Sequence, residues 1–236
     1  MNKLEKISLV PQKLYGRRKG RPLRAGHQRV MGDLLPQIRI AVVENQDPFS
    51  PHSLFGEHVY EEIWLEIGFG AGEHLATQAL RNRNVGIIGC EAFLNGVASL
   101  LMLMDTQKIN NVRVYSGDAR LLIQHLPSLL IDRVFILFPD PWPKQRHHKR
   151  RIVSDAFIAE MARIINLGGE LRLASDDQNY VKHMMEVIGR NPYFTPNPSF
   201  LEDPHTPPKD WVETRYEKRG KRKGHLCSYL SYKRID

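Results

Sequence analysis

Four carboxylates stand at or just after the ends of successive apolar runs in this 236-residue chain: Glu66, Glu91, Asp118 and Asp140. In an open parallel sheet such ends face one crevice, where bound molecules sit. Any one of them could be a charge at a helix start; the set points to a ligand. Glu91 follows a glycine run by about twenty residues, where a carboxylate can accept both hydroxyls of a ribose. Asp118, with Ala119 after it, is placed to approach an adenine amino group. Glu66 precedes Gly68, Gly70 and Gly72, and is expected beside the ligand or holding the glycine loop. The most specific stretch is Phe138-Pro139-Asp140-Pro141-Trp142-Pro143-Lys144. Its prolines stiffen it, and it offers a carboxylate, an indole and an ammonium beside the crevice. Trp142 either stacks on a base or anchors the loop.

These residues need a scaffold of strands ending on one side. Apolar runs predict strands at 63–68, 85–91, 112–115, 133–138 and 170–174, with an alternating strand in 226–232. Helices are expected near 74–82, 93–108, 119–126, 154–166 and 177–189. Leu94, Val97, Leu101 and Met104 fit one helical face, and Met102 and Met104 are expected in the core. Ser154 is expected to cap its helix and Gly168-Gly169 to stop it. The alternation implies an α/β fold with a mainly parallel sheet, helices on both faces and an antiparallel C-terminal strand. Residues 31–60 form a lead-in broken by Pro36, Pro48 and Pro51. Residues 192–208 read as a loop around one short strand. The domain reading is a flexible basic arm at 1–30 and a single domain over 31–236.

The net charge is +8, and its distribution is uneven. Residues 6–32 hold eight Lys or Arg and no acid; residues 144–151 hold five; residues 215–223 hold six against one glutamate. Three separate clusters suit a phosphate backbone better than a solubility surface, which intersperses its signs. Arg146, His147, His148, Lys149, Arg150 and Arg151 are expected to touch RNA. No further ligand joins His147 and His148 at metal-binding spacing, so no metal is expected. Cys90 and Cys227 lie far apart, which fits a reducing cytoplasm. No run is long enough for a membrane span, and no signal region follows the N-terminus.

The glycine spacing is G-x-G-x-G, not the dinucleotide G-x-G-x-x-G. With the acid ahead of it, this resembles the class I S-adenosylmethionine methyltransferases and implies their Rossmann-like fold. Their ligand carries an amino acid and a ribose and no pyrophosphate. The run P-D-P-W-P-K, continuing through residues 146–151, closely resembles the bacterial tRNA (guanine-N(7))-methyltransferase family. So do Gly168-Gly169-Glu170, Ala174-Ser175-Asp176 and Thr214-Arg215-Tyr216-Glu217. The resemblance runs from about Leu14 to Tyr232. It implies S-adenosylmethionine as cofactor, tRNA as partner and the variable-loop guanosine at tRNA position 46 as target. By the resemblance Asp140 is the catalytic-site residue and also a candidate cofactor contact, while Lys144, Asp176, Thr214, Arg215, Tyr216 and Glu217 hold the substrate. A monomer or homodimer is expected.

The chemistry suits the residues independently. The N7 atom of guanine has an in-plane lone pair and no proton, so it needs positioning more than a base. Guanine's pairing edge presents two adjacent N–H donors, which one carboxylate accepts; Asp140, Asp176 and Glu217 are the candidates. Three rival functions are open. An exocyclic-amine methyltransferase would need a D-P-P-Y geometry. A nicotinamide-dependent oxidoreductase would need the other glycine spacing. A non-catalytic RNA-binding protein would have no need for the acidic set.

Overall fold

The computed structural model describes residues 15–42, 49, 54–56 and 58–236. Seven strands form a mixed sheet in the order β3-β2-β1-β4-β5-β7-β6. The chain divides into two compact units between Pro127 and Ser128.

In the first unit, α1 (Ala25–Asp33) and α2 (Leu35–Ile38) precede the sheet. The segment after α2 joins its edge, with Ile40 N–H donating to Val114 O at 2.8 Å. β1 (Glu62–Ile67) buries Ile63, Trp64, Leu65 and Ile67. It leads through the glycine turn into α3 (Glu73–Arg81). β2 (Val85–Cys90) is buried throughout, which explains its uninterrupted apolar run. α4 (Leu94–Gln107) buries Val97, Leu101 and Met104 as expected, with Leu94 and Met102 half-buried. β3 (Val112–Tyr115) and α5 (Ala119–His125) follow. β1, β2 and β3 run parallel, with Ile67 beside Cys90 and Cys90 beside Tyr115, so their C-terminal ends lie level.

The second unit starts with β4 (Ile131–Leu137) and passes through a 3₁₀ turn at Gln145–Arg150. Ser154 Oγ accepts from Phe157 N–H and caps α6 (Asp155–Ile164). That helix buries Phe157, Ile158, Met161 and Ile164, each worth about 1.5–3 kcal/mol of removed apolar surface. β5 (Ile165–Ser175) pairs parallel with β4. Asp177 caps α7 (Gln178–Gly189) through Tyr180 N–H. β6 (Phe194–Pro196), α8 (Pro198–Glu202), α9 (Arg215–Arg222) and β7 (Ser228–Arg234) complete the unit. β7 is antiparallel to both β5 and β6.

Three expectations are corrected. The stretch 1–30 is not all a flexible arm: α1 occupies its end, Val30 is buried, and Arg29 pairs with Asp105 at 2.5 Å; residues 1–14 lie outside the described residues. Gly168-Gly169 do not stop α6. Ile165 already turns extended, and both glycines sit inside β5, Gly168 with φ +76°. A Cβ on Gly169 would stand 2.9 Å from Asp132 O, so close approach to the chain entering β4 requires that glycine. The stretch 192–208 contains α8 as well as its strand, started by Pro198 at a position where a helix needs no N–H.

Candidate active site

In the first unit the glycine turn is left-handed three times: φ is +75° at Gly68, +57° at Gly70 and +84° at Gly72. Side chains are strained there, which explains the glycines. A Cβ on Gly68 or Gly70 would face open space, whereas one on Gly72 would stand 2.7 Å from Leu100 Cβ. The turn therefore packs on α4 at Gly72 and opens outward at Gly68 and Gly70. Gly96 of α4 backs it so closely that a Cβ would lie 2.2 Å from Gly70 O.

Glu91 reaches back across this turn. Its Oε2 accepts from Gly70 N–H and its Oε1 from Phe93 N–H, both at 2.8 Å. The half-buried carboxylate thus shapes the loop at the level of the β2 end. Glu66 is buried and bonds His74 Nδ1 at 2.7 Å, and His74 Nε2 lies 3.3 Å from Gln78 Nε2. His74 and Gln78, one turn apart on α3, form a buried polar line that sequence reasoning missed. No periodic signal distinguishes a buried histidine on an amphipathic helix. Asp118, half-buried just beyond the β3 end, caps α5 through Arg120 N–H at 3.0 Å and binds the Arg120 guanidinium at 2.5 Å, and Ala119 beside it is buried. The open turn, with Glu91 at its rim and no Lys or Arg among Gly68–Gly72, suits hydroxyl and ammonium groups rather than a pyrophosphate.

In the second unit Asp140 is exposed, three residues beyond β4. Its loop is held in an unusual backbone: Phe138 and Trp142 both adopt left-handed φ, +50° and +46°. For bulky residues this costs about 1–3 kcal/mol each and persists only where surroundings enforce it. The enforcement is visible. Phe138 N–H donates to Ala174 O at 2.8 Å. Arg151 donates from Nε to Pro141 O at 2.8 Å and from its other end to Asn179 Oδ1 at 2.7 Å, while its guanidinium lies 4.7 Å from the Tyr180 ring centre. Arg151 is buried, so the expectation that it touches RNA is corrected: it is the strut of the Asp140 loop. Burial pushes the Tyr180 phenol beneath it up to about 12.

Trp142 has the Arg150 guanidinium 4.9 Å from its ring centre and His147 edge-on at 5.9 Å. Arg146 and Lys149 are exposed, as is Lys144 at the start of the 3₁₀ turn. Desolvation, then the charges of Arg150, Arg146, Lys144 and Lys149, lower the His147 imidazole below its ordinary value, so it adds no cation at neutral pH. His148 is half-buried. Among the described residues no group of three or more His, Cys, Asp or Glu could hold a metal, and no helix is long and apolar enough to cross a membrane.

Asp176 follows β5 directly, at the sheet end that also carries Asp140. Its Oδ2 bonds His225 Nδ1 at 2.8 Å, and Tyr216 OH approaches Oδ1 at 3.4 Å. The Tyr216 ring lies 5.3 Å from that of Phe138, so the tyrosine joins the Asp176 tip to the Asp140 loop. Thr214 caps α9 by accepting from Glu217 N–H, and Arg215 is exposed beside it. Glu217 is corrected as a guanine acceptor: it is fully buried beneath α9. Trp211 Nε1 donates to its Oε2 at 2.8 Å, Tyr229 OH donates to Oε1, and Lys221 Nζ sits 2.8 Å from Oε1. Asp140 and Asp176 remain as the acceptors this unit offers.

A glycine turn opening beside a strand-end carboxylate, on a mainly parallel sheet with one antiparallel strand, β7, between β5 and β6, is the layout of a Rossmann-like methyltransferase. The fold is similar to that of an rRNA methylase from Streptococcus thermophilus, with a TM-score of 0.50 at 13% identity over 75% of this chain and 88% of that one. Residues 60–229 match the family described as putative methyltransferase. The chain belongs to the tRNA (guanine-N(7)-)-methyltransferase family. It is 41% identical over 224 residues to the member from Rhodospirillum rubrum, covering 94% of this chain and 88% of that one. It is 40% identical over 232 residues to the member from Zymomonas mobilis subsp. mobilis, covering 96% of each.

Proposed function

We propose that this chain transfers a methyl group from S-adenosylmethionine to N7 of a guanosine in tRNA, the variable-loop guanosine being the expected target. The observation that carries this reading is Asp140, exposed on a proline-stiffened, strained loop and locked there by a buried arginine. The family's shared name supports the choice of substrate.

The open glycine turn fits the cofactor: left-handed Gly68 and Gly70 leave room, and Glu91 stands at the rim for ribose hydroxyls. Bound there, S-adenosylmethionine supplies an electrophilic methyl group on a sulfonium. The remaining work falls to the protein. Asp140 and Asp176 accept the N–H donors of guanine's pairing edge, which selects guanine over adenine. The Arg151 strut and the Phe138–Tyr216 contact keep the two carboxylates from drifting. The attacked nitrogen loses no proton, so the residues orient rather than titrate.

The reading is tested by incubating the protein with unmodified tRNA and methyl-labelled S-adenosylmethionine, then analysing nucleosides. Label in 7-methylguanosine is expected; label in an N2- or N6-methylated nucleoside would replace the reading with exocyclic-amine methylation.

Glu91→Ala should weaken S-adenosylmethionine binding by about 1.5–3 kcal/mol, the range for a hydrogen bond to a charged group. Calorimetry showing wild-type affinity in a folded variant would remove Glu91 from the site. Within the basic run, Lys149→Ala should leave melting unchanged. It should make the log–log salt dependence of tRNA binding shallower by about 0.7–0.9, the slope of one phosphate no longer neutralised. Arg151→Ala should instead lower stability by about 1–3 kcal/mol, because Pro141 O and Asn179 lose a buried donor. Equal melting temperatures for the two variants would contradict the division between RNA-facing lysine and buried strut.

A further inference from the structure

Residues 15–24 carry Arg17, Arg18, Lys19, Arg21 and Arg24, all with exposed side chains. Their backbone is nevertheless fixed. Leu94 N–H donates to Arg18 O at 3.0 Å. Gly20 N–H donates to Asn95 Oδ1 at 2.7 Å, and Asn95 Nδ2 donates to Arg21 O at 2.8 Å. The single Asn95 amide therefore uses both its acceptor and its donor on this segment. Gly20 is fitted to it: a Cβ there would stand 2.8 Å from Asn95 Oδ1 and 2.9 Å from Phe93 Cζ. On its C-terminal side the segment runs into α1, which the Arg29–Asp105 pair ties to α4. The bonds from Arg18, Gly20 and Arg21 to Leu94 and Asn95 use the segment's main chain, and its cations are exposed.

Asn95 also sits at the start of α4, directly after the turn that Glu91 shapes through Phe93 N–H. A row of cations on a fixed backbone, with no acidic residue among residues 15–24, matches a regular polyanion. We propose that Asn95 is a positioning residue, clipping residues 16–24 into a preset arm that binds the phosphate backbone of RNA. The inference deepens the function proposed above and rests on tRNA as the substrate.

The test uses the full chain, an unmodified tRNA transcript and binding measured over a range of salt. Asn95→Leu removes both clip bonds and should bind tRNA about five- to tenfold more weakly, with a salt slope shallower by about 0.7–0.9 for each phosphate the arm no longer neutralises. Gly20→Ala forces the Asn95 amide aside from the other partner and should give the same loss. Replacing Arg17, Arg18 and Lys19 together with alanine should weaken binding as well, and adding Asn95→Leu to that variant should cost nothing more. A merely structural Asn95 would instead give additive losses. Additivity, or wild-type affinity and slope in either clip variant, overturns the proposal. If Asn95→Leu fails to fold, Gly20→Ala decides alone: weaker binding supports the clip and unchanged binding refutes it. Unchanged binding after the triple replacement also refutes it, leaving the arm to a different partner such as an acidic protein surface. The two readings fail separately, since the clip is judged by tRNA affinity and the activity by the wild-type nucleoside product.

Discussion

Asp140→Asn is expected to slow methyl transfer in single turnover by about 10²-fold or more, with the cofactor saturating, while tRNA affinity changes little. The substitution keeps the size of the side chain and replaces one acceptor oxygen by a donor. At an exposed loop tip it has little folding cost, so the loss reports on positioning. Affinity for tRNA is spread over separate basic clusters and does not depend on one carboxylate. Guanine N7 carries no proton, so the wild-type rate should show no limb from a general base titrating near neutrality. An activity limb present in wild type and absent in Asp140→Asn would mean that Asp140 moves a proton, and positioning would be the wrong mechanism. A variant with near wild-type turnover would remove Asp140 from the reaction altogether.

Glu217→Ala is expected to lower stability by about 3 kcal/mol, the low end for breaking a buried charged cluster. It would strip Trp211 Nε1, Tyr229 OH and Lys221 of their common acceptor. The Lys221 ammonium is partly exposed and regains water, which keeps the loss from being larger. Urea unfolding monitored by Trp211 and its neighbours is the measurement. The outcome that sinks this structural role for Glu217 is unchanged stability with loss of tRNA methylation, because Glu217 would then serve the substrate.

The elements were legible where burial and period agree. β2 is an apolar run, β3 alternates buried valines with half-buried Arg113 and Tyr115, and α4 shows one inward face. Ser154 announced a helix start that its hydroxyl provides. α9 was not legible as a helix: its only buried residues are Glu217 and Gly220, so it has no apolar stripe to detect. Its trace was chemical, a T-x-x-E start at Thr214 and a glycine stop at Gly224, whose φ is +81°. Gly168-Gly169 misled because a glycine pair after a helix means a stop only when the chain has not already become extended. The site was legible as a set of strand-end carboxylates, since a parallel sheet aligns them. Their division of labour was not. Whether Glu217 faces solvent or the underside of its helix depends on Trp211 and Tyr229, which arrive from other segments. Arg151 looks like its neighbours in a basic run, and only tertiary packing makes it a strut.

The close seat of Gly96 against Gly70 O also sets when the glycine turn pays its ordering entropy. With Gly70 N–H already donated to Glu91, that cost falls at folding and not at ligand encounter. Amide hydrogen exchange at Gly70 should accordingly be slow in the free protein. Association should then proceed in one kinetic phase whose rate rises linearly with cofactor concentration, with no slower loop-closing step behind it.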